Sequence, residues 1–215
     1  MIARRDAAND QRRRILRTTA DLVSKRGYQD TTTELIVRRA KVGYGTFYKF
    51  FPDKESCFLA LFDATFERAS KALTEAYHAE EETKPWADRV ADSIALLYQL
   101  TASDPAVARA CLVESLTAGP KVLARYEAAL QQLTRILQPG RELAPEGGAA
   151  LPRTLETTLA GGILWIAYQL LIVGEAERLE AMLPEAIQFA LSPYLGEEAA
   201  VELAERRATP ATEAA

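Results

Sequence analysis

Apolar residues along this chain recur mostly at spacings of three and four, and no sustained apolar–polar alternation predicts a strand. The pattern therefore predicts an all-α fold, with proline and glycine marking the boundaries. A first helix is predicted over 10–26, where Ile15, Leu16, Thr19, Ala20, Leu22 and Val23 form one stripe. Gly27, after Lys25 and Arg26, supplies a C-terminal stop. A second helix is predicted to open in the run Thr31, Thr32, Thr33, with Glu34 three residues after Thr31 as in a capping box, and to end near Ala40. A third runs from about Gly43 to Phe51 and stops at Pro52. Asp53 then reads as the N-cap of a long helix reaching about Ala79. Pro85, Asp104–Pro105 and Pro120 open further helices, and 139–152 is the longest loop. The most apolar helix is predicted over 151–173, and a last helical stretch over 176–195 has Pro184 as a start or kink. The Ala/Glu-rich segment 197–215 is expected to fray as a disordered tail.

Two short helices joined by a tight turn at Ala40, Lys41 and Val42 match a helix-turn-helix, whose second helix enters the DNA major groove. The third predicted helix has the two faces this task requires. Phe47, Phe50 and Phe51 lie at i, i+3 and i+4 and face a small core with Val42. Tyr44, Gly45, Tyr48 and Lys49 fall on the other side, a polar, aromatic and basic face. Gly45 costs about 1 kcal/mol against Ala inside a helix. Close approach of the helix to DNA would account for it, and so would a place where two helices meet. Lys54, in the first turn of the next helix, opposes the helix dipole. It fits a DNA phosphate at that N-terminus, or is an ordinary solvated lysine. The same two readings hold for the arm residues Arg4, Arg5, Arg12, Arg13 and Arg14.

Charge sharpens the picture. The whole chain has a net charge of −4, but residues 1–54 hold 13 basic and 6 acidic side chains, and the remainder 13 basic and 24 acidic. A basic head attracts phosphates while an acidic body is repelled by them. Catalytic chemistry is thinly supplied. There is one histidine, His78, beside Glu80, Glu81 and Glu82, and there are two cysteines, Cys57 and Cys111, with no metal-ligand spacing between them. No enzyme, metal site, cofactor or disulfide framework is expected. The N-terminal segment has no apolar core of a secretory signal. The longest apolar stretch, 159–173, falls short of the roughly 20 residues that span a bilayer. A buried helix in a soluble, cytoplasmic protein is the expectation, with no membrane partner.

The segments 14–28, 31–37 and 44–55 carry a resemblance. Arg14-Ile-Leu-Arg-Thr-Thr-Ala-Asp-Leu-Val-Ser-Lys-Arg-Gly-Tyr28, Thr31-Thr-Thr-Glu-Leu-Ile-Val37 and Tyr44-Gly-Thr-Phe-Tyr-Lys-Phe-Phe-Pro-Asp-Lys-Glu55 resemble the TetR family of bacterial regulators over about residues 12–62. The resemblance implies a helix-turn-helix domain over 1–53, and a helical ligand-sensing and dimerisation domain over 54–196. By position, it implies phosphate contacts for Thr32, Thr33, Tyr48 and Lys54, and places Gly43, Tyr44, Gly45, Thr46 and Lys49 at or near base edges. It also implies a homodimer on palindromic double-stranded DNA, a repressor released by a small molecule, and a place at the bacterial nucleoid. Two positions depart from the pattern. Lys41 stands where the family often has Gly, and so is expected to adopt a left-handed conformation at about 1 kcal/mol. Phe50 stands where the family often has His.

In the body, Gly161 and Gly162 permit close helix approach, and Ile163, Ile166, Leu170 and Leu191 supply apolar area for a dimer interface or for one subunit's core. A largely apolar ligand would lie among Phe62, Phe66, Tyr98, Cys111, Trp165 and Tyr168, each of which also fits a core position. Glu114 falls on an otherwise apolar helix and needs a partner, for which Arg109 or a cationic ligand would serve; an edge position or an internal ion pair is the other reading. Two other readings keep the same residues: an all-α binding or enzymatic domain with an incidental basic head, and a helical protein whose head binds anionic lipid.

Overall fold

The computed structural model describes residues 2–145 and 147–208, and among these it has ten α-helices and no strand. They are α1 (Ile2–Arg26), α2 (Thr33–Ala40), α3 (Tyr44–Phe50), α4 (Lys54–His78), α5 (Trp86–Ser103), α6 (Pro105–Leu112), α7 (Pro120–Leu137), α8 (Leu155–Val173), α9 (Leu183–Leu195) and α10 (Glu197–Ala208). Short 3-10 turns occupy Glu114–Leu116, Gln138–Leu143, Gly148–Ala150 and Ala176–Leu179. The chain divides into two compact units. One takes the described residues up to Arg68 together with Asp104–Glu127, and the other takes Ala69–Ser103 and the described residues from Ala128 onward.

In the first unit, Ile15, Ala20, Val23, Ile36, Phe47, Cys57 and Phe58 form a closed core on α1 to α4. Side-chain caps start its helices: the Asp53 carboxylate accepts the Ser56 N–H at 2.6 Å, and Asp104 accepts the Val107 N–H at 3.2 Å before Pro105. The α2 cap lies one residue later than the spacing predicts. Thr32 accepts the Leu35 N–H at 3.3 Å, while Thr31 is buried and donates back to the Gly27 carbonyl at 2.8 Å. Segment 104–127 packs here through contacts that no local pattern signals. Arg109 donates to the Ser24 carbonyl at 2.9 Å, and Gln29 to that of Thr117 at 3.0 Å.

The second unit is organised around Arg141. Its guanidinium makes five hydrogen bonds: two to the Glu156 carboxylate at 2.6 and 2.9 Å, and one each to the carbonyls of Gly148, Leu151 and Pro152. These bonds give the long 138–152 connection a fixed shape. Fully buried Tyr194 donates to the same carboxylate at 3.2 Å. Gly140 lies under the Trp86 and Tyr194 rings, where a Cβ would sit 2.3 Å from Trp86.

The expectation of a disordered 197–215 tail is corrected for 197–208. Alanine and glutamate are strong helix formers, and Ala200, Leu203 and Ala204 are buried on one face of α10. Arg207 then locks the helix to α5 through Asp88 at 3.0 Å and Asp92 at 2.6 Å. Residues 209–215 lie outside the described residues. The apolar stretch 159–173 belongs to a longer helix than its own length suggests. With 19 residues and mean hydropathy 1.4, α8 is long and apolar enough to be a candidate span by length and composition. Its Leu159, Ala160, Ile163, Leu164, Ala167 and Leu171 are buried within the unit.

Burial acts to raise the Glu156 pKa, but the Arg141 and Tyr194 hydrogen bonds outweigh it and hold the carboxyl below the ordinary glutamate value. A depressed folded-state pKa gives stability that is present above the unfolded value, near about 4.3, and is lost as pH falls through the folded one. Chemical denaturation of the wild-type chain is expected to lose stability in that acid window, and Glu156→Gln to be less stable at pH 7 with a flatter acid limb. An unchanged acid limb in Glu156→Gln would remove Glu156 from this role.

Candidate nucleic-acid interface

Helix α3 has seven residues, too few to hold a helix without tertiary packing. Two features fix it. Gly43 caps it in an extended conformation, and its carbonyl accepts the N–H groups of Thr46 and Phe47 at 3.0 and 3.1 Å. Phe47 is 0% exposed and packs its ring 5.8 Å from that of Phe51, which is also buried. With Phe47 inward, Tyr44 and Tyr48 point outward at 50% and 54% exposure, their rings stacked 6.4 Å apart, and Gly45 and Lys49 are exposed beside them. Thr46 is half-buried, and so is Phe50, which enters the core less fully than its spacing predicts.

Nothing lies within 4 Å of a Cβ built on Gly43 or Gly45. Gly45 therefore does not serve a close helix approach among the described residues. Lys41 does take the left-handed conformation, φ 52° and ψ 50°, and is the sole non-glycine residue with positive φ among the described residues. The Lys41 N–H donates to Arg38 and that of Val42 to Val37, an αL ending of α2.

Lys54 is not an ordinary solvated lysine. Its Nζ donates to the Tyr28 carbonyl at 2.8 Å and lies 4.1 Å from the centre of the Tyr28 ring. Burial pushes its pKa down, with Asp30 opposing. The site implied for it at a phosphate thus coincides with an internal anchor on the α1–α2 turn. Asp53 already serves the α4 N-terminus, and the Ser56 backbone N–H holds its carboxyl low. Thr32 is exposed at the start of α2, and Thr33 half-buried. The side chains of Arg4 and Arg5 lie outside the described residues. Arg12 sits over the Phe51 ring at 5.6 Å, and Arg13 pairs with Asp10.

Residues expected around a ligand divide between the units. In the first, Phe62 is buried and stacks with half-buried Phe66 at 6.3 Å, and Cys111 is buried with its thiol pushed up to about 12 by burial. The buried Cys57 thiol is likewise raised, to about 11, so neither is an activated nucleophile. Glu114 leaves α6 on a 3-10 turn and accepts the backbone N–H of Tyr28 at 3.0 Å, a partner that sequence spacing did not suggest. In the second unit, Tyr98 is a core residue whose hydroxyl donates to the Ile163 carbonyl at 3.1 Å. Trp165, by contrast, is 55% exposed and stacks on Tyr168 at 4.9 Å. A small apolar cavity of about 20 Å³, bounded by Val90, Ile94, Leu97, Leu133, Ile136 and Ile163 among others, has room for a water rather than a ligand.

Two residues expected at a dimer interface, Ile163 and Leu191, are buried within the unit and so are removed from that surface. Gly162 receives the Phe189 ring, 2.4 Å from where a Cβ would be, whereas Gly161 faces open space. Gly161, Ile166 and Leu170 are half-buried, and Trp165, Ile172, Val173 and Phe189 are exposed.

Comparison with known proteins agrees with this geometry. The family model of bacterial regulatory proteins of the tetR family matches residues 15–61. The HTH-type transcriptional repressor KstR of Mycolicibacterium smegmatis is 35% identical over 63 residues, which is 29% of this chain and only 31% of that repressor's own length. Two solved structures share the fold over most of both chains. The fatty acid degradation regulator FadR of Bacillus halodurans superposes with a TM-score of 0.72 at 18% identity, covering 84% of this chain and 94% of that one. FadR of Bacillus subtilis, solved in complex with stearoyl-CoA, gives 0.71 at 19%, covering 84% and 97%. Residues 15–61 thus match the helix-turn-helix head of the tetR family of bacterial regulatory proteins, and most of the chain shares the fold of the two solved regulators.

Proposed function

We propose that the chain is a sequence-specific repressor that binds a palindromic operator as a homodimer and is released by a largely apolar small molecule. The observation that carries the reading is the division of α3. Phe47 is wholly buried, while Tyr44, Gly45, Tyr48 and Lys49 are exposed on α3, with open space around Gly45. Tyrosine hydroxyls and a lysine ammonium are donors for phosphates and base edges, and a helix surface bare at Gly45 lets the backbone approach the groove. No catalytic role is proposed for any residue.

Dimerisation follows from operator symmetry, since two recognition helices must be held about 34–36 Å apart. The exposed apolar side chains Trp165, Ile172, Val173 and Phe189 on α8 and α9 supply a surface that a second copy would cover. The ligand class is supported by the apolar character of the second unit and by the stearoyl-CoA bound in the Bacillus subtilis FadR structure. A ligand favouring a form unsuited to the operator would shift the population off DNA. The regulator would act in the cytoplasm, at the nucleoid.

Fluorescence anisotropy on duplexes from the region upstream of the coding sequence, against scrambled duplexes, tests the DNA reading. Gly45→Ala should raise thermal stability by up to about 1 kcal/mol, because it removes a helix-interior glycine. It should nevertheless weaken operator binding at least several-fold by placing a methyl group where DNA must approach. Tyr48→Phe should lose about 3- to 10-fold, the worth of one hydrogen bond. Selective binding that survives both changes would move recognition off α3.

Sedimentation velocity tests the dimer. Trp165→Glu with Val173→Glu should convert dimer to monomer with unchanged helix content by circular dichroism. A dimer that persists unchanged would place the interface elsewhere.

A further inference from the structure

A groove of about 510 Å³ in the first unit runs between the C-terminal half of α1 and the outer side of α2. Its apolar lining comes from Leu22 and Leu35. Around these stand Lys25 and Arg26 from α1, Arg38 and Arg39 from α2, and Lys41 from the turn. All five cations are exposed, and none forms an ion pair among the described residues. The lining's one acid, Asp21, is already shared with Arg17 at 3.3 Å. Cations elsewhere are commonly neutralised, as with Arg125 on Asp63, Arg141 on Glu156 and Arg207 on Asp92. Here five like charges stand around a single carboxylate, Asp21, that is already paired with Arg17, an arrangement that raises local potential and favours a polyanion.

Lys41 is the second, independent observation. Its left-handed backbone suits glycine, and an L side chain there is strained. The chain nevertheless carries a lysine at that point, and its ammonium adds to the rim of the same groove. The cations are spread over two helices and a turn instead of converging on one point, so a row of phosphates fits them better than one small anion. Leu22 and Leu35 let the long arginine and lysine stems lie flat while their heads reach outward. Lys41 lies two residues before Gly43, the cap of α3, so its Cα is within about 7 Å of the start of the reading helix.

We infer that this groove is a second phosphate-backbone site, which grips the duplex beyond the bases faced by α3. It rests on the duplex reading above for its ligand and adds affinity without adding sequence choice, because phosphates carry no sequence information.

The test is a salt series of anisotropy titrations with the full chain, on an operator-containing duplex and on a scrambled duplex of equal length. Lys41→Gly should raise the melting temperature. It should also weaken binding about 2- to 5-fold on both duplexes and flatten the slope of log K against log salt by roughly one counterion. Arg38→Gln with Arg39→Gln, which leaves the backbone geometry alone, should flatten the slope further at an unchanged operator-to-scrambled ratio. Wild-type slopes in both variants would overturn the inference. So would slopes that stay unchanged while binding of poly-glutamate is lost, since the groove would then dock an acidic protein segment. A wild-type chain that does not distinguish operator from scrambled DNA counts against α3 as the reader, whereas the groove is still judged by its slopes on scrambled DNA.

Discussion

Burial of one ring, Phe47, decides what the head of this protein presents to its surroundings. A helix of seven residues has no stability or register of its own, and α3 obtains both from this anchor and its contact with Phe51. Each residue turns by about 100°, so fixing Phe47 inward sets Gly45 and Lys49 about 160° from it and Tyr48 about 100° from it, on the outward side. Rotation by one residue would turn Thr46 or Tyr48 inward and take Phe47 out of the core. The turns on either side defend the same register. Lys41 ends α2 in the left-handed region and Gly43 caps α3, leaving only Val42 between them where the chain changes direction.

The surroundings of α3 are braced from a distant part of the sequence. Tyr28 is bonded on both sides of its backbone, its N–H to the Glu114 carboxylate and its carbonyl to the Lys54 ammonium. The α1–α2 turn is therefore held between a residue of the 104–127 segment and the first residue of α4. Two residues in this head break local rules without an internal gain: Gly45 within a helix, and Lys41 in a conformation suited to glycine. Gly140 beneath Trp86 and Tyr194 and Gly162 against Phe189 have packing reasons, whereas Gly161 in α8, like Gly45, faces open space. Exposed rule-breakers with open space around them are the pattern expected where an outside partner sets the requirement.

Much of this was legible in the sequence because it rests on local chemistry. Gly27 and Pro52 ended helices, Asp53 and Asp104 started them, and the Phe47 periodicity separated the two faces of α3. The left-handed Lys41 followed from the family resemblance, in which glycine often stands at that point. What sequence could not supply were contacts between residues some 85 positions apart, such as Glu114 to Tyr28 and Arg109 to Ser24. Arg141 could not be recognised as the organiser of its loop, because its partners are mostly backbone carbonyls that any sequence offers. In α8 and α9 apolar residues surround the helices, and periodicity alone could not show that Ile163 and Leu191 turn inward while Trp165 and Val173 turn outward. Helix α10 was hidden by a composition that suits a frayed tail as well as a packed helix.

In the proposed function the exposed face of α3, carried twice by a symmetric dimer, reads DNA sequence. Selection of duplexes from a random pool by the purified wild-type chain, followed by sequencing, tests it whatever the operator turns out to be. The expected result is enrichment of one palindromic motif whose half-site centres are separated by about one helical turn, roughly 10 base pairs, or a multiple of it. A pool that stays random after repeated rounds, or a motif without two-fold symmetry, would contradict it.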